Sequence, residues 1–205
     1  MSRQGERQII AGPAGALEIA LHRPEQTPRG IALIAHPHPQ QGGTMENKVV
    51  QTLAKSFYAL GYAVVRFNFR GVDGSAGTFD EGMGETDDAL SALEFARGEF
   101  GDLPIVLGGF SFGSFVQTRV YERTHPRLTI ERMILVGPAV SRFAVGAVPP
   151  DTLVIHGEED DVVPFADVLA WARPQQLPIV VFPGCGHFFH GRIVQLQQVI
   201  TRCWK

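Results

Sequence analysis

Short, near-continuous apolar runs alternate along this chain with longer amphipathic stretches, and that alternation constrains its fold more than any other feature. The short runs are 16–21, 30–35, 62–67, 105–109, 132–136, 152–155 and 179–182. Strands that are apolar at almost every position are those buried on both faces of a parallel sheet. The longer stretches read as helices. Residues 47–60 open on Asn47, a capping residue, and place Val49, Val50, Leu53, Phe57 and Leu60 at helical spacing before Gly61 stops them. Residues 84–100, 112–123, 166–172 and 190–204 complete the set. Strand and helix in alternation predict an α/β fold: a doubly wound, mostly parallel sheet flanked by helices. A closed α/β barrel takes about 250 residues, more than the 205 present.

No linker, repeat or charge block divides the sequence, so one domain over residues 1–205 is expected. A hydrophobic fraction of 44% and a charged fraction of 19% fit a globular chain with a sizeable core. The 23 glycines and 14 prolines follow no period and read as turn punctuation. A net charge of −3 gives nothing to steer the chain toward phosphate, so neither nucleic acid nor an anionic membrane is an expected partner. Cys185 and Cys203 are too few for a disulfide framework or a four-cysteine zinc site. No leader or membrane span is legible, and cytoplasm is the expected location.

Gly109-Phe110-Ser111-Phe112-Gly113 is a G-x-S-x-G motif with a strand running in and a helix running out. That context is what a strained nucleophile elbow requires, with the helix N-terminus favouring a developing oxyanion. A phosphate loop is disfavoured, because neither a nearby lysine nor a G-x-G-x-x-G is present. A serine hydroxyl needs a base. His187, in the glycine-rich loop after the last strand, is the expected one; ligands bind at that edge of an open α/β sheet. His22, His125, His156 and His190 are weaker choices, His156 reading as a packed histidine and His190 as the start of the last helix. The base in turn needs a carboxylate. Glu158, Glu159, Asp160 and Asp161 form one acid loop after the preceding strand, whereas residues 137–150 hold no acid. The chain order is serine, acid, histidine.

These motifs together resemble the α/β-hydrolase superfamily, in particular its small, lidless, dienelactone-hydrolase-like branch of serine esterases. The resemblance runs from about residue 32 to residue 190. It is carried by His36-Pro37-His38-Pro39 with Gly42-Gly43, by residues 66–71 with Gly74-Ser75, by the elbow, by the acid loop up to Pro164, and by Gly186-His187-Phe188. It implies an α/β-hydrolase fold and selects Asp160, four positions before Pro164, as the acid, with Asp161 as the alternative. It implies an oxyanion hole built from the backbone N–H groups of Phe112 and His38, with Gln40 or Gln41 as substitutes for His38. Pro37 and Pro39 have no N–H to give. Dienelactone hydrolases proper usually carry a cysteine where Ser111 stands, which argues against their particular substrate. The superfamily usually inserts its lid after the sixth strand; residues 137–151, about 15 of them, suffice only for a connection. An open, shallow site is the expectation.

The reading is a serine hydrolase that cleaves a small-molecule carboxylic ester or thioester on a Ser111–His187–Asp160 triad, with no cofactor and no metal, as a monomer or homodimer. A metal pair at His36 and His38 is disfavoured for want of a third ligand, and His36 reads instead as a brace for its own loop. Arg70 and Asp73 read as loop braces, Phe110 and Phe115 as core, and Cys185 as a small loop residue. The alternatives are a non-catalytic binding or scaffolding member of the fold and a small prolyl-oligopeptidase-like peptidase.

Overall fold

The computed structural model describes residues 5–204. Among them the strands are β1 (Glu6–Gly12), β2 (Gly15–His22), β3 (Ile31–Ala35), β4 (Ala63–Phe67), β5 (Ile105–Phe110), β6 (Ile130–Val136), β7 (Leu153–Gly157) and β8 (Ile179–Phe182). The helices are α1 (Lys48–Ala59), α2 (Met83–Phe100), α3 (Phe112–Thr124), α4 (Phe165–Ala172) and α5 (Ile193–Cys203), with short 3-10 turns at Pro39–Gln41 and Arg173–Gln175. The strands form one eight-stranded sheet in the order β1-β2-β4-β3-β5-β6-β7-β8. Strands β3 to β8 pair in parallel, and β1, β2 and β4 pair antiparallel. This is the α/β-hydrolase fold, with no lid domain inserted between β6 and β7.

Period-2 alternation sorts the side chains of each strand onto two faces. From β3, Ile31, Leu33 and Ala35 enter the layer that holds Ala89, Ala92 and Leu93 of α2 and Val116 and Val120 of α3. Ala32 and Ile34 enter the opposite layer, with Val49, Leu53 and Phe57 of α1 and Leu196 and Ile200 of α5. All five β3 residues are buried, which is why that strand is apolar without interruption. Asn47 caps α1, its side-chain oxygen accepting the Val49 N–H at 2.9 Å.

Two elements depart most from the sequence reading. Strand β1 has no counterpart in it. It is a half-exposed edge strand, with Ile9 57% exposed, so its polar positions mask the alternation. The break at Gly12-Pro13 is a hairpin turn that returns the chain in register, Gly12 opposite Gly15. The last helix begins at Ile193, not at His190, because Gly191 has a φ of 71° and holds the preceding residues outside it.

Phe57 anchors the α1 layer, with ring centroids 5.5 Å from Tyr62 and 4.7 Å from Trp204, both edge-on. It is fully buried. Phe57→Ala is expected to cost about 3–5 kcal/mol of unfolding free energy, measured by denaturant titration. A loss below 1 kcal/mol would contradict this packing.

Candidate active site

Four loops leave the C-terminal ends of β3, β5, β7 and β8 on one edge of the sheet, where open α/β folds bind ligands. Ser111 follows β5 with φ 55° and ψ −118°, a conformation disfavoured for any residue with a Cβ. The surrounding backbone enforces it. A Cβ on Gly109 would lie 2.5 Å from the Gly113 carbonyl carbon and the Ser114 nitrogen. A Cβ on Gly113 would lie 2.6 Å from the Ala35 carbonyl carbon and 2.7 Å from the His36 oxygen. Both outer positions of the motif are therefore glycine because main chain meets main chain there. The Ser111 N–H donates to Val136 O at 2.9 Å, and Gln117 Nε2 donates to Leu33 O at 2.9 Å and Gly108 O at 3.0 Å. These bonds tie the turn to β3, β5 and β6.

Asp160 and His187 meet across the β7 and β8 loops, with Oδ2 and Nδ1 2.6 Å apart. A carboxylate only accepts, so Nδ1 carries the proton and Nε2 is left as a base. Asp160 Oδ1 accepts the N–H groups of Val162 at 3.0 Å and Val163 at 2.7 Å. Burial raises the affinity of this carboxyl for a proton, but the His187 bond and the Val163 N–H outweigh it and hold its pKa below the ordinary value. Of the four loop acids Asp160 alone is buried; Glu158, Glu159 and Asp161 are exposed. His156 packs behind the pair, its Nε2 donating to Val163 O at 2.9 Å and lying 3.5 Å from Asp160 Oδ2.

Ser111 and His187 line one cavity of about 80 Å³ with Pro37, His38, Gln41, Gly42, Gly43, Asn47, Val162 and Phe188. Ser111 Oγ makes no hydrogen bond among the described residues. Phe112 is the first residue of α3, so its N–H precedes the first intrahelical bond. His38 is the N-cap of the turn at Pro39–Gln41, one place earlier than Phe112 stands in α3, and its carbonyl is fixed by the N–H groups of Gln41 and Gly43, both at 3.0 Å. The His38 ring sits among Phe79, Phe112 and Phe143, at centroid distances of 4.7, 5.2 and 5.8 Å. Burial and the nearby Arg142 charge lower its pKa.

The expected shallow surface is instead a narrow pocket, with Ser111 only 7% and His187 only 3% exposed. The connection between β6 and β7 is short, yet it lays Phe143 onto Phe112 and Phe115, both 5.0 Å away. On the other side Phe188 stands 5.1 Å from the His187 ring. Phe189 is fully buried at a φ of 53° and contacts Phe182 at 5.3 Å, pinning the loop that carries His187.

His36 is a clamp between two loops. It accepts the Phe69 N–H on Nε2 at 3.0 Å, and its Nδ1 donates to Pro37 O at 2.6 Å. Both ring nitrogens are thereby engaged, and among the described residues no cluster of three or more His, Cys, Asp or Glu is arranged to hold a metal. Arg70 is paired with Asp88 at 2.9 Å, and Asp73 accepts from Asn68 at 3.1 Å. Cys185 is buried, which raises its thiol pKa.

Residues 26–148 match the family described as serine aminopeptidase, S33. The chain belongs to this family. It is thus an α/β serine hydrolase, and its solved relatives include XC6422 from Xanthomonas campestris, described as an α/β serine hydrolase without lid. That structure superposes with a TM-score of 0.89 at 34% identity, over 99% of this chain and 94% of the other. Protein RP471 of Rickettsia prowazekii is 34% identical over 93% of this chain and 84% of its own length. The lysophosphatidylserine lipase ABHD12 of Macaca fascicularis is 29% identical over 77% of this chain, which spans only 33% of that protein. No helix among the described residues is long and apolar enough to cross a membrane.

Buried neutral His36 makes the fold acid-sensitive. Burial pushes its pKa from 6.5 down to about 3 in the folded chain. Below pH 6.5 the unfolded chain therefore takes up a proton that the folded chain refuses. The stability this group contributes is complete above that pH, declines as pH falls, and is gone near pH 3, at up to about 1.4 kcal/mol per pH unit. His22, lowered to about 4 by burial and by Arg66, acts in the same direction. His36→Gln should flatten the stability–pH slope between pH 6 and 4, measured by urea unfolding. Equal slopes for variant and wild type would contradict the clamp.

Proposed function

We propose that this chain is a serine esterase or thioesterase, a single hydrolase domain acting through an acyl-enzyme on Ser111, His187 and Asp160. The observation that carries the reading is the 2.6 Å contact of His187 Nδ1 with a buried carboxylate beside the strained serine. It leaves Nε2 as the base in the cavity that Ser111 lines. Ser111 Oγ attacks the substrate carbonyl carbon while its proton passes to His187 Nε2. The electron pair of the carbonyl moves onto oxygen, where the N–H groups of Phe112 and His38 receive it. The tetrahedral species collapses, and the alcohol or thiol leaves with the proton from His187. Water, deprotonated by the same nitrogen, attacks the acyl-enzyme; His187 returns that proton to Ser111 Oγ as the acyl–serine bond breaks and the carboxylic acid leaves. Asp160 holds the tautomer and stabilises the imidazolium between these steps. The scheme calls on no cofactor.

The family name admits peptide substrates as well. An aminopeptidase must hold an α-ammonium group, which calls for a carboxylate in the pocket. The cavity around Ser111 has no Asp or Glu in its lining, which favours a neutral ester or thioester.

Ser111→Ala is expected to abolish labelling by a fluorophosphonate probe and to lower p-nitrophenyl acetate turnover by at least about 10³-fold. Asp160→Asn should lower kcat by a similar order, because the amide donates to Nδ1 and so selects the wrong tautomer. Retained turnover in the serine variant would assign the activity elsewhere. A wild type inert to every ester and thioester tested would favour a binding role.

A further inference from the structure

Asn47 has one end of its amide committed and the other free. Its Oδ1 accepts the Val49 N–H at 2.9 Å, capping α1. A backbone N–H can only donate, so this bond fixes which end of the amide is oxygen. Nδ2, with two N–H groups, makes no hydrogen bond among the described residues. Asn47 lines the same cavity as Ser111 and His187, beside Gln41, Gly42 and Gly43. Val162 and Phe188 give that cavity a second, apolar wall. Its volume of about 80 Å³ has room for about three groups the size of water, at about 30 Å³ each.

We propose that Asn47 is a specificity-determining residue, its side-chain Nδ2 selecting a short acyl group that carries a hydrogen-bond acceptor oxygen. This rests on the esterase reading above. A purely aliphatic acyl chain of the same length strips water from Nδ2 and returns nothing, whereas an ether, hydroxyl or keto oxygen replaces the lost partner. The preference comes from the side-chain donor, held at a fixed angle by the capping bond. The apolar wall accepts the carbon skeleton of either kind of chain, and Ser111 Oγ and His187 Nε2 work at the ester carbonyl, so discrimination falls to the Asn47 amide held in place by its capping bond.

Butyrate and methoxyacetate p-nitrophenyl esters test this, since they differ by an oxygen in place of one methylene. For each ester kcat/KM is divided by its hydroxide-catalysed rate, which removes intrinsic reactivity. Wild type should favour methoxyacetate by about threefold to tenfold, the worth of one neutral hydrogen bond. Asn47→Asp and Asn47→Ser both keep an oxygen for the Val49 N–H, so α1 stays capped, and neither retains the amide donor. In both the ratio should fall to about one. The ratio is independent of the fraction of folded enzyme, so a merely structural role would not move it. A second measurement uses Ser111→Ala protein labelled with 15N. There methoxyacetate, but not butyrate, should shift the Asn47 side-chain amide signals. A wild-type ratio near one, or a ratio unchanged in both variants, overturns the proposal. Turnover of neither ester by wild type overturns the esterase reading instead, and the amide shift then decides the role of Asn47 by itself.

Discussion

The contact of main chain with main chain between the end of β3 and the start of α3 is the constraint on which the rest of this structure depends. Gly113 lies so close to Ala35 and His36 that no side chain fits between them. That approach fixes the entry angle of α3, and with it the left-handed backbone at Ser111. It also sets the serine beside the loop that begins at His36, so Ser111 and the His38 amide are placed by a single packing event. The strain at Ser111, of order 1–3 kcal/mol, is tolerated because β5 lies between two paired neighbours and cannot relax outward.

Around that point the protein uses burial to tell similar groups apart. Four acids stand in succession, and only Asp160 turns inward to meet an imidazole and two backbone N–H groups. His36, His156 and His187 are all buried, yet their partners differ. His36 bonds main chain on both nitrogens, His156 backs the acid, and His187 has one nitrogen tied and one open. Chemically equal side chains thus receive different work from their neighbours alone.

Much of this was legible in the sequence, because buried parallel strands and backbone-driven glycines leave strong local signals. The seven runs became β2 to β8, and the G-x-S-x-G spacing marked a turn whose geometry needs both glycines. The edge strand β1 left no such signal, since half of each of its residues' surroundings is water and the apolar alternation is diluted. Phe189 was illegible for a different reason. Its backbone conformation is one that bulky residues rarely adopt, so only the packing against Phe182 accounts for it. The pocket wall at Phe188 was also hidden: the motif Gly186-His187-Phe188 was legible, but which way its last ring faces is decided by the packing of the loops. Asn47 was visible as a helix cap, but that a cap also faces the cavity is a matter of how β3 and α1 are joined.

The acid loop and the base loop are stitched to each other. Glu158 N–H donates to Phe182 O, Glu159 N–H to Cys185 O, and Gly184 N–H to Glu158 Oε2, each at 3.0 Å. These bonds continue the β7–β8 ladder past the end of the sheet. The acid and the imidazole therefore ride on one stiff flap, while the serine belongs to the central strands. Breathing of the fold would leave the carboxylate–imidazole distance almost constant and would modulate the gap to the Ser111 hydroxyl, which no bond spans.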